Sequence, residues 1–297
     1  MTFERFIARR YFLSRRKIQF ITIITLVSIA GVAIGVAALI AVLSVFNGFN
    51  KHVTSILIGF DPHLRIESAV DNKLLEYNHV IEKIKNKSNI KSAAPFTLNK
   101  GLISSDKSNV VVFIKGVDDK LIGDVSGVKD KTKIGEFVFE DNENFGGIIL
   151  GLNLSAKLGV KWGDTLTVVS PAGMEKVLTQ FVQPKILKFI VRGIYDSDNR
   201  EYDKLYAFVS IDYSQKLFEL GNSVNGVELK LDNINKSDEV KEKLVGVLGD
   251  GYKVNTWYDL HQDLYSVMEV ERWTAYIILS LIIAVATFNI AGSLTMT

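Results

Sequence analysis

Two uncharged runs bracket a chain whose middle alternates between polar and apolar positions. No Asp, Glu, Lys or Arg occurs in the 33 positions of residues 18–50, and none occurs in the 25 positions after Arg272. Eighteen or more consecutive apolar residues suffice to cross roughly 30 Å of hydrocarbon as a helix, so both runs read as membrane spans. The first exceeds the ~20 residues a bilayer needs and predicts a helix continuing as a stalk through Phe46, Phe49, Val53 and Ile56. The second run ends without a polar flank, which predicts a C-terminally truncated span cut from a longer protein.

Between the runs the period changes. Residues 63–69 alternate Leu64 and Ile66 with polar neighbours, as a half-buried strand does, and Leu75, Val80, Ile81 and Ile84 then recur near helical spacing. Residues 90–104 and 109–117 read as strands. The same order returns late in the chain. Residues 226–231 predict a strand, Ser237 can cap a predicted helix with the stripe Val240, Leu244 and Val247, Gly249 follows its last turn, and residues 252–256 predict another strand. Two such units predict a split α+β domain whose ends meet in one sheet around a β-rich insertion.

Within the insertion, residues 164–170 and 186–195 predict strands, and residues 153–158 and 211–220 predict helices. The segment from Pro171 to Pro184 joins the two strands and predicts a protruding loop or hairpin, because each proline removes a sheet donor. From Tyr258 a helix carries Leu260, Leu264, Val267 and Met268 on one face toward Trp273 and Tyr276, residues suited to a membrane interface. The expected organisation is a basic cytoplasmic segment (1–17), a first span with its stalk (18–50), an outer domain (51–272) and a second, incomplete span (273–297). The outer domain divides into a porter-like part (60–117 and 222–257), the insertion (118–221) and a second stalk (258–272).

Charge orients this scheme. Arg5, Arg9, Arg10, Arg15, Arg16 and Lys17 stand against Glu4 before the first span, which places the N-terminus in the cytoplasm and the middle outside. Phe3, Phe6, Ile7 and Leu13 among these charges suit a short amphipathic helix on the inner leaflet; a plain basic stop signal fits equally well. The middle segment carries 29 basic and 32 acidic residues, a balance that excludes a nucleic-acid-binding face. The chain has no cysteine, so an ordinary core must stabilise the outer part.

Catalytic patterns are absent from the sequence. There is no Walker A loop, no G-x-S-x-G elbow and no H-E-x-x-H helix. His52, His63, His79 and His261 have no mutual ligand spacing, which argues against a metal site. Residues 140–143 read as a solvated acidic loop, and Asp196, Asp198, Glu201 and Asp203 as a polar turn. Gly31 and Gly35 form a G-x-x-x-G motif, with Ala38 on the same face, and predict close packing against another helix.

Specific stretches resemble a known family. Residues 6–11 (FIARRY), 31–38 (GVAIGVAA) and 43–49 (LSVFNGF) look like the membrane entry of the lipoprotein-releasing ABC transporter permeases, the LolC/LolE type. Residues 59–63 (GFDPH), the LGVKWGD core of 151–164, 189–195 (FIVRGIY), 201–203 (EYD), 257–265 (WYDLHQDLY) and 288–290 (FNI) follow in the family's order. The resemblance implies an α+β fold, with transmembrane helices and long stalks carrying a MacB-like periplasmic domain, and an FtsX-like permease region. It implies an inner-membrane subunit, not itself an enzyme, that works with a second permease subunit and with separate ABC ATPase subunits. ATP-Mg would bind on those ATPases and no cofactor on this chain. Lipoprotein cargo, a periplasmic lipoprotein carrier and membrane lipid are the further partners implied.

By the same resemblance the 171–184 loop occupies the place of a carrier-gripping hook, with Pro171, Met174, Phe181, Val182 and Pro184 as contacts; an inert surface loop is the alternative. Phe46, Phe49 and Val53 on one stalk and Leu264, Val267 and Met268 on the other are candidates to line an apolar cavity for the lipid, or else to pack stalk against stalk. Rival readings are a permease of the same superfamily in efflux or cell division, and a two-span membrane sensor.

Overall fold

The computed structural model describes residues 3–12, 19–85, 87, 89–171 and 184–295. The chain forms two compact units, one of residues 1–53 with 262–297 and one of residues 54–261.

The first unit is helical. α1 (Phe3–Phe12) precedes α2 (Gln19–Phe60), and α10 (Gln262–Thr295) closes the chain. At 1.5 Å per residue the 42 residues of α2 extend about 63 Å. Its stretch Ile29–Phe49 is long and apolar enough to cross a membrane. Many large apolar side chains here are exposed, among them Leu26, Ile34, Ile277 and Leu281, whereas Met268 and Leu279 are buried. A Cβ placed on Gly35 would lie 3.8 Å from Ile282, but one on Gly31 would meet nothing within 4 Å. Gly35 therefore faces α10, while Gly31 makes no such contact among the described residues.

In the second unit the distant strand–helix–strand segments meet. β1 (Leu64–Ser68), α3 (Tyr77–Lys85) and β2 (Ile90–Ser104) come from the first; β9 (Gly226–Leu231), α8 (Ser237–Leu248) and β10 (Tyr252–Thr256) come from the second. Their strands pair in the order β10-β1-β9-β2, every pair antiparallel. This is the β-α-β-β-α-β arrangement of ferredoxin-like sheets. The helices cover one face, burying Val80, Ile84, Val240 and Leu244 against Leu64, Ile66, Val227 and Leu229.

The remaining strands close a circuit. β3 (Asn109–Val117) pairs with β2 and runs parallel to β8 (Tyr206–Ser210). β8 pairs with β5 (Gly146–Gly151), β5 with β7 (Ile186–Tyr195), β7 with β6 (Thr165–Val169), and β6 returns to β2 through Leu102–Ser104. The result is a six-stranded barrel, with β4 (Thr132–Gly135) attached to β7 outside the ring. Its interior holds Ile103, Val112, Ile114, Leu150, Val168 and Val191, and is filled further by α5 (Leu152–Leu158) and α7 (Ile211–Phe218) through Leu154, Leu158, Tyr213 and Leu217. Two short helices lie beside it, α4 (Ile122–Val125) and α6 (Arg200–Leu205).

α6 stands where a polar turn was expected, and that expectation fails at Asp203. The Asn199 side chain accepts from the amides of Glu201 and Tyr202 and so starts a helix. Asp203 is buried and accepts from the Ser197 amide and hydroxyl at 2.9 and 2.7 Å. Burial pushes its carboxyl above the usual range, against the pull of those two bonds.

Gly116 of β3 tests the packing between hairpin and helix. A Cβ there would fall 2.2 Å from Thr97 Oγ1 and 2.5 Å from Ser214 Cβ, where the two hydroxyls are themselves hydrogen-bonded at 2.6 Å. Gly116→Ala should cost about 1–3 kcal/mol by overpacking, read as a fall in thermal midpoint of roughly 2–4 °C per kcal/mol for a unit of this size.

Candidate functional site

α2 ends because of its sequence. Pro62 cannot extend a helix and disfavours helical geometry in the residue before it, so the last turn of α2 leaves carbonyls without helical partners. The turn at residues 126–127 supplies them. Gly127 N–H donates to Gly59 O at 3.0 Å, and Ser126 Oγ donates to Phe60 O at 2.5 Å. Only a glycine at 127 permits this approach, since a Cβ would sit 2.2 Å from Gly59 O. The Phe60 ring packs 4.8 Å from Tyr202, 5.8 Å from Tyr195 and 6.3 Å from Phe208.

Asp61 follows, buried, and its Oδ2 collects two partners from distant parts of the chain. Tyr202 Oη of α6 donates to it at 2.5 Å, and His261 Nε2 lies 2.7 Å away. Burial and the Asp61 carboxylate together push the Tyr202 phenol far above its ordinary value, so it stays a donor. His261 is placed by α9 (Trp257–Leu260), whose start is fixed by a capping box between Thr256 and Asp259; Asp259 also pairs with Lys241 at 2.7 Å.

A second buried polar group crosses the adjoining sheet. Glu228 of β9 accepts from Arg65 of β1 at 3.0 Å and from Lys115 of β3 at 2.8 and 2.9 Å. Burial alone would lower the Arg65 guanidinium, but the carboxylates of Glu228, Glu67 and Asp61 outweigh it and keep the charge. Arg65 and Lys115 both lie over the Phe96 ring, at 4.7 and 5.7 Å. Beside them His63 accepts from Leu231 N–H at 3.1 Å through Nδ1, while Nε2 is buried with no hydrogen-bond partner among the described residues. Burial, aided by Lys230, lowers its imidazole to about 4.

The residues singled out from sequence fall in both units, each set within its own. Pro171 is exposed, Pro184 is half-buried, and both stand at the root of the antiparallel β6–β7 pair, where Ser170 N–H donates to Lys185 O at 2.9 Å. Met174, Phe181 and Val182 lie outside the described residues. On the helices Phe49 and Val267 are exposed, Phe46 is half-buried and Met268 is buried; the side chains of Val53 and Leu264 lie outside the described set. Among the described residues no group of three His, Cys, Asp or Glu is placed to hold a metal ion. A cleft of 770 Å³ between α3 and the 118–124 segment was not expected from sequence; its walls carry Lys85, Lys91 and Lys120 together with Asp118, Asp124 and Asp212.

Asp61, Tyr202 and His261 carry no signature as a set in the sequence. Each sits in one of the stretches 59–63, 201–203 and 257–265, yet no spacing rule joins three positions so far apart. The local signal was an acid directly before a proline at a helix end.

Comparison with known proteins places the whole chain. Residues 25–247 match the family described as the MacB-like periplasmic core domain. The chain is 32% identical over 294 residues to the lipoprotein-releasing system transmembrane protein LolC of Neisseria meningitidis serogroup B, covering 99% of this chain and 70% of that protein. It is 28% identical over 258 residues to the lipoprotein-releasing system transmembrane protein LolE of Haemophilus influenzae, covering 84% of this chain and 60% of that one. The solved periplasmic region of MacB from Actinobacillus actinomycetemcomitans aligns with 71% of this chain and 95% of its own, at 14% identity and a TM-score of 0.45.

The buried histidine makes stability depend on pH. His63 must be neutral in the fold, and its folded value of about 4 lies below its ordinary 6.5. Its stabilising contribution is therefore complete above pH ~6.5 and is lost as the pH falls through about 4. The urea midpoint of the chain in detergent should decline across that window, and His63→Asn, which keeps an acceptor for Leu231, should flatten the decline.

Proposed function

The chain belongs to the lipoprotein-releasing permeases that carry a MacB-like periplasmic core domain, and from this we propose that it releases lipoproteins from the inner membrane to a periplasmic carrier. It is a permease of an ABC transport system, with the 54–261 unit as its periplasmic domain and the N-terminus in the cytoplasm. ATP, with Mg²⁺, is hydrolysed on separate ATPase subunits, and a second permease subunit completes the assembly. The observation that carries this reading is the extent of the match to the Neisseria protein, 294 residues running through α2, the outer unit and α10 alike.

The physical problem fits these parts. A lipoprotein's acyl chains cost about 0.8 kcal/mol per CH₂ moved from lipid into water, so release needs an apolar route, an energy source and a receiving partner. Exposed apolar positions on α2 and α10, Phe49 and Val267 among them, offer surface to lipid. The 171–184 segment joins β6 to β7, which pair antiparallel up to Val169 and Ile186, a suitable base for gripping a soluble carrier.

Depletion of the full-length protein should leave outer-membrane lipoproteins in the inner membrane, seen by fractionation. Unchanged sorting contradicts the reading, and co-purification with an outer-membrane channel would point to efflux instead. These 297 residues contain no cysteine, so single cysteines placed at 171 and 184 are the only thiols within them. Each should crosslink to the carrier, and no adduct at either would remove the loop from the interface.

A further inference from the structure

Asp61 has a feature that core packing does not require. Within the 54–261 unit the chain enters at the end of α2 and leaves after His261, and both points meet on one carboxylate oxygen. The third partner, Tyr202, belongs to α6, which is strung between barrel strands β7 and β8. Entry, exit and barrel are thus tied through bonds of 2.7 and 2.5 Å to a buried acid. Burying a carboxylate carries a large desolvation cost, and an apolar contact of similar shape is often as stable. What the polar contact adds is direction and a defined broken state.

We propose that Asp61 is a positioning residue for transport: it latches the barrel, through Tyr202, to the two chain segments that lead to the membrane helices. The proposal rests on the permease reading for its purpose but not for its geometry. With the latch closed, α6 and the segment ending at His261 resist opening together. With it broken, each opens independently. The latch shares its seat with the Phe60 ring and with the clamp of Ser126 and Gly127 on the last turn of α2, so a displacement at residues 59–61 is felt at α6 without passing through the central sheet.

Reciprocal hydrogen exchange on the full-length protein tests this. Tyr202→Phe keeps the ring against Phe60 and deletes only the hydroxyl; it should speed amide exchange at residues 258–261 about tenfold, and His261→Gln should speed exchange at 200–206 by a similar factor, because coupling between two sites is mutual. Asp61→Ala should do both, and Asp61→Asn, which retains an acceptor oxygen, should restore part of the protection. Acceleration confined to the mutated segment overturns the latch, whatever the protein transports. In the complete transporter the same variants should lower lipoprotein released per ATP hydrolysed while leaving hydrolysis itself running. An unchanged ratio beside coupled exchange overturns the role in transport. A wild-type complex that releases no lipoprotein counts against the permease reading instead, and leaves the exchange result to decide the latch.

Discussion

The β2–β3 hairpin is the constraint on which the outer unit depends, because one strand serves two sheets. β2 pairs with β9 over its first part, with β3 from Phe96 onward and with β6 at its far end. The ferredoxin-like sheet and the barrel are therefore continuous, although more than a hundred residues separate β2 from β9. Glu228 sits at this seam, holding Arg65 of one sheet and Lys115 of the shared hairpin. A buried pair of this kind adds little net stability against an apolar substitute, but removing one partner strands a charge at a cost of roughly 3–5 kcal/mol. It acts as a register pin: any slip of β3 past β2 would carry Lys115 away from its acid.

Legibility followed the alternation of residue type. Strands with polar residues between apolar ones announced themselves, even β9, whose Glu228 and Lys230 alternate with Val227, Leu229 and Leu231 although the strand is almost wholly buried. The alternation of Leu64 and Ile66 located β1, and the predicted bounds of 90–104, 109–117, 186–195 and 226–231 coincide with β2, β3, β7 and β9. β5 went unread because all six of its residues are buried, so Gly146 to Gly151 has no polar phase to reveal period two. β8 begins directly after the six-residue α6 and was hidden by the acids before it. Barrel closure was not legible either. It depends on Leu102, Ile103 and Ser104 meeting Val169, Val168 and Thr167, a pairing between residues some 65 positions apart that has no local signature.

The helical unit shows the opposite case, where composition is clear and placement is not. Uncharged runs identified α2 and α10, yet a helix that is apolar on every side does not declare which face meets protein. Gly31, Gly35 and Ala38 share one predicted face, yet among the described residues a Cβ on Gly35 would meet Ile282 of α10 while one on Gly31 would meet nothing within 4 Å. The same ambiguity separates buried Met268 from exposed Val267, adjacent residues with equal claims from sequence. Large exposed apolar surface of this extent is unusual for a protein in water and is the normal condition of a helix in lipid.

Placing a hydrogen-bonded acid where the chain passes from such helices into a water-facing domain has a physical logic. Apolar contacts are non-directional, so a helix end held only by Phe60 against Tyr195, Tyr202 and Phe208 could rotate with little change in buried area. The Asp61 bonds and the two carbonyl clamps at Gly59 and Phe60 remove that freedom, since a hydrogen bond weakens steeply as its angle degrades. Rotation of the last turn of α2 would have to break several of these bonds at once. The aromatic cluster supplies adhesion and the polar atoms supply orientation to the last turn of α2.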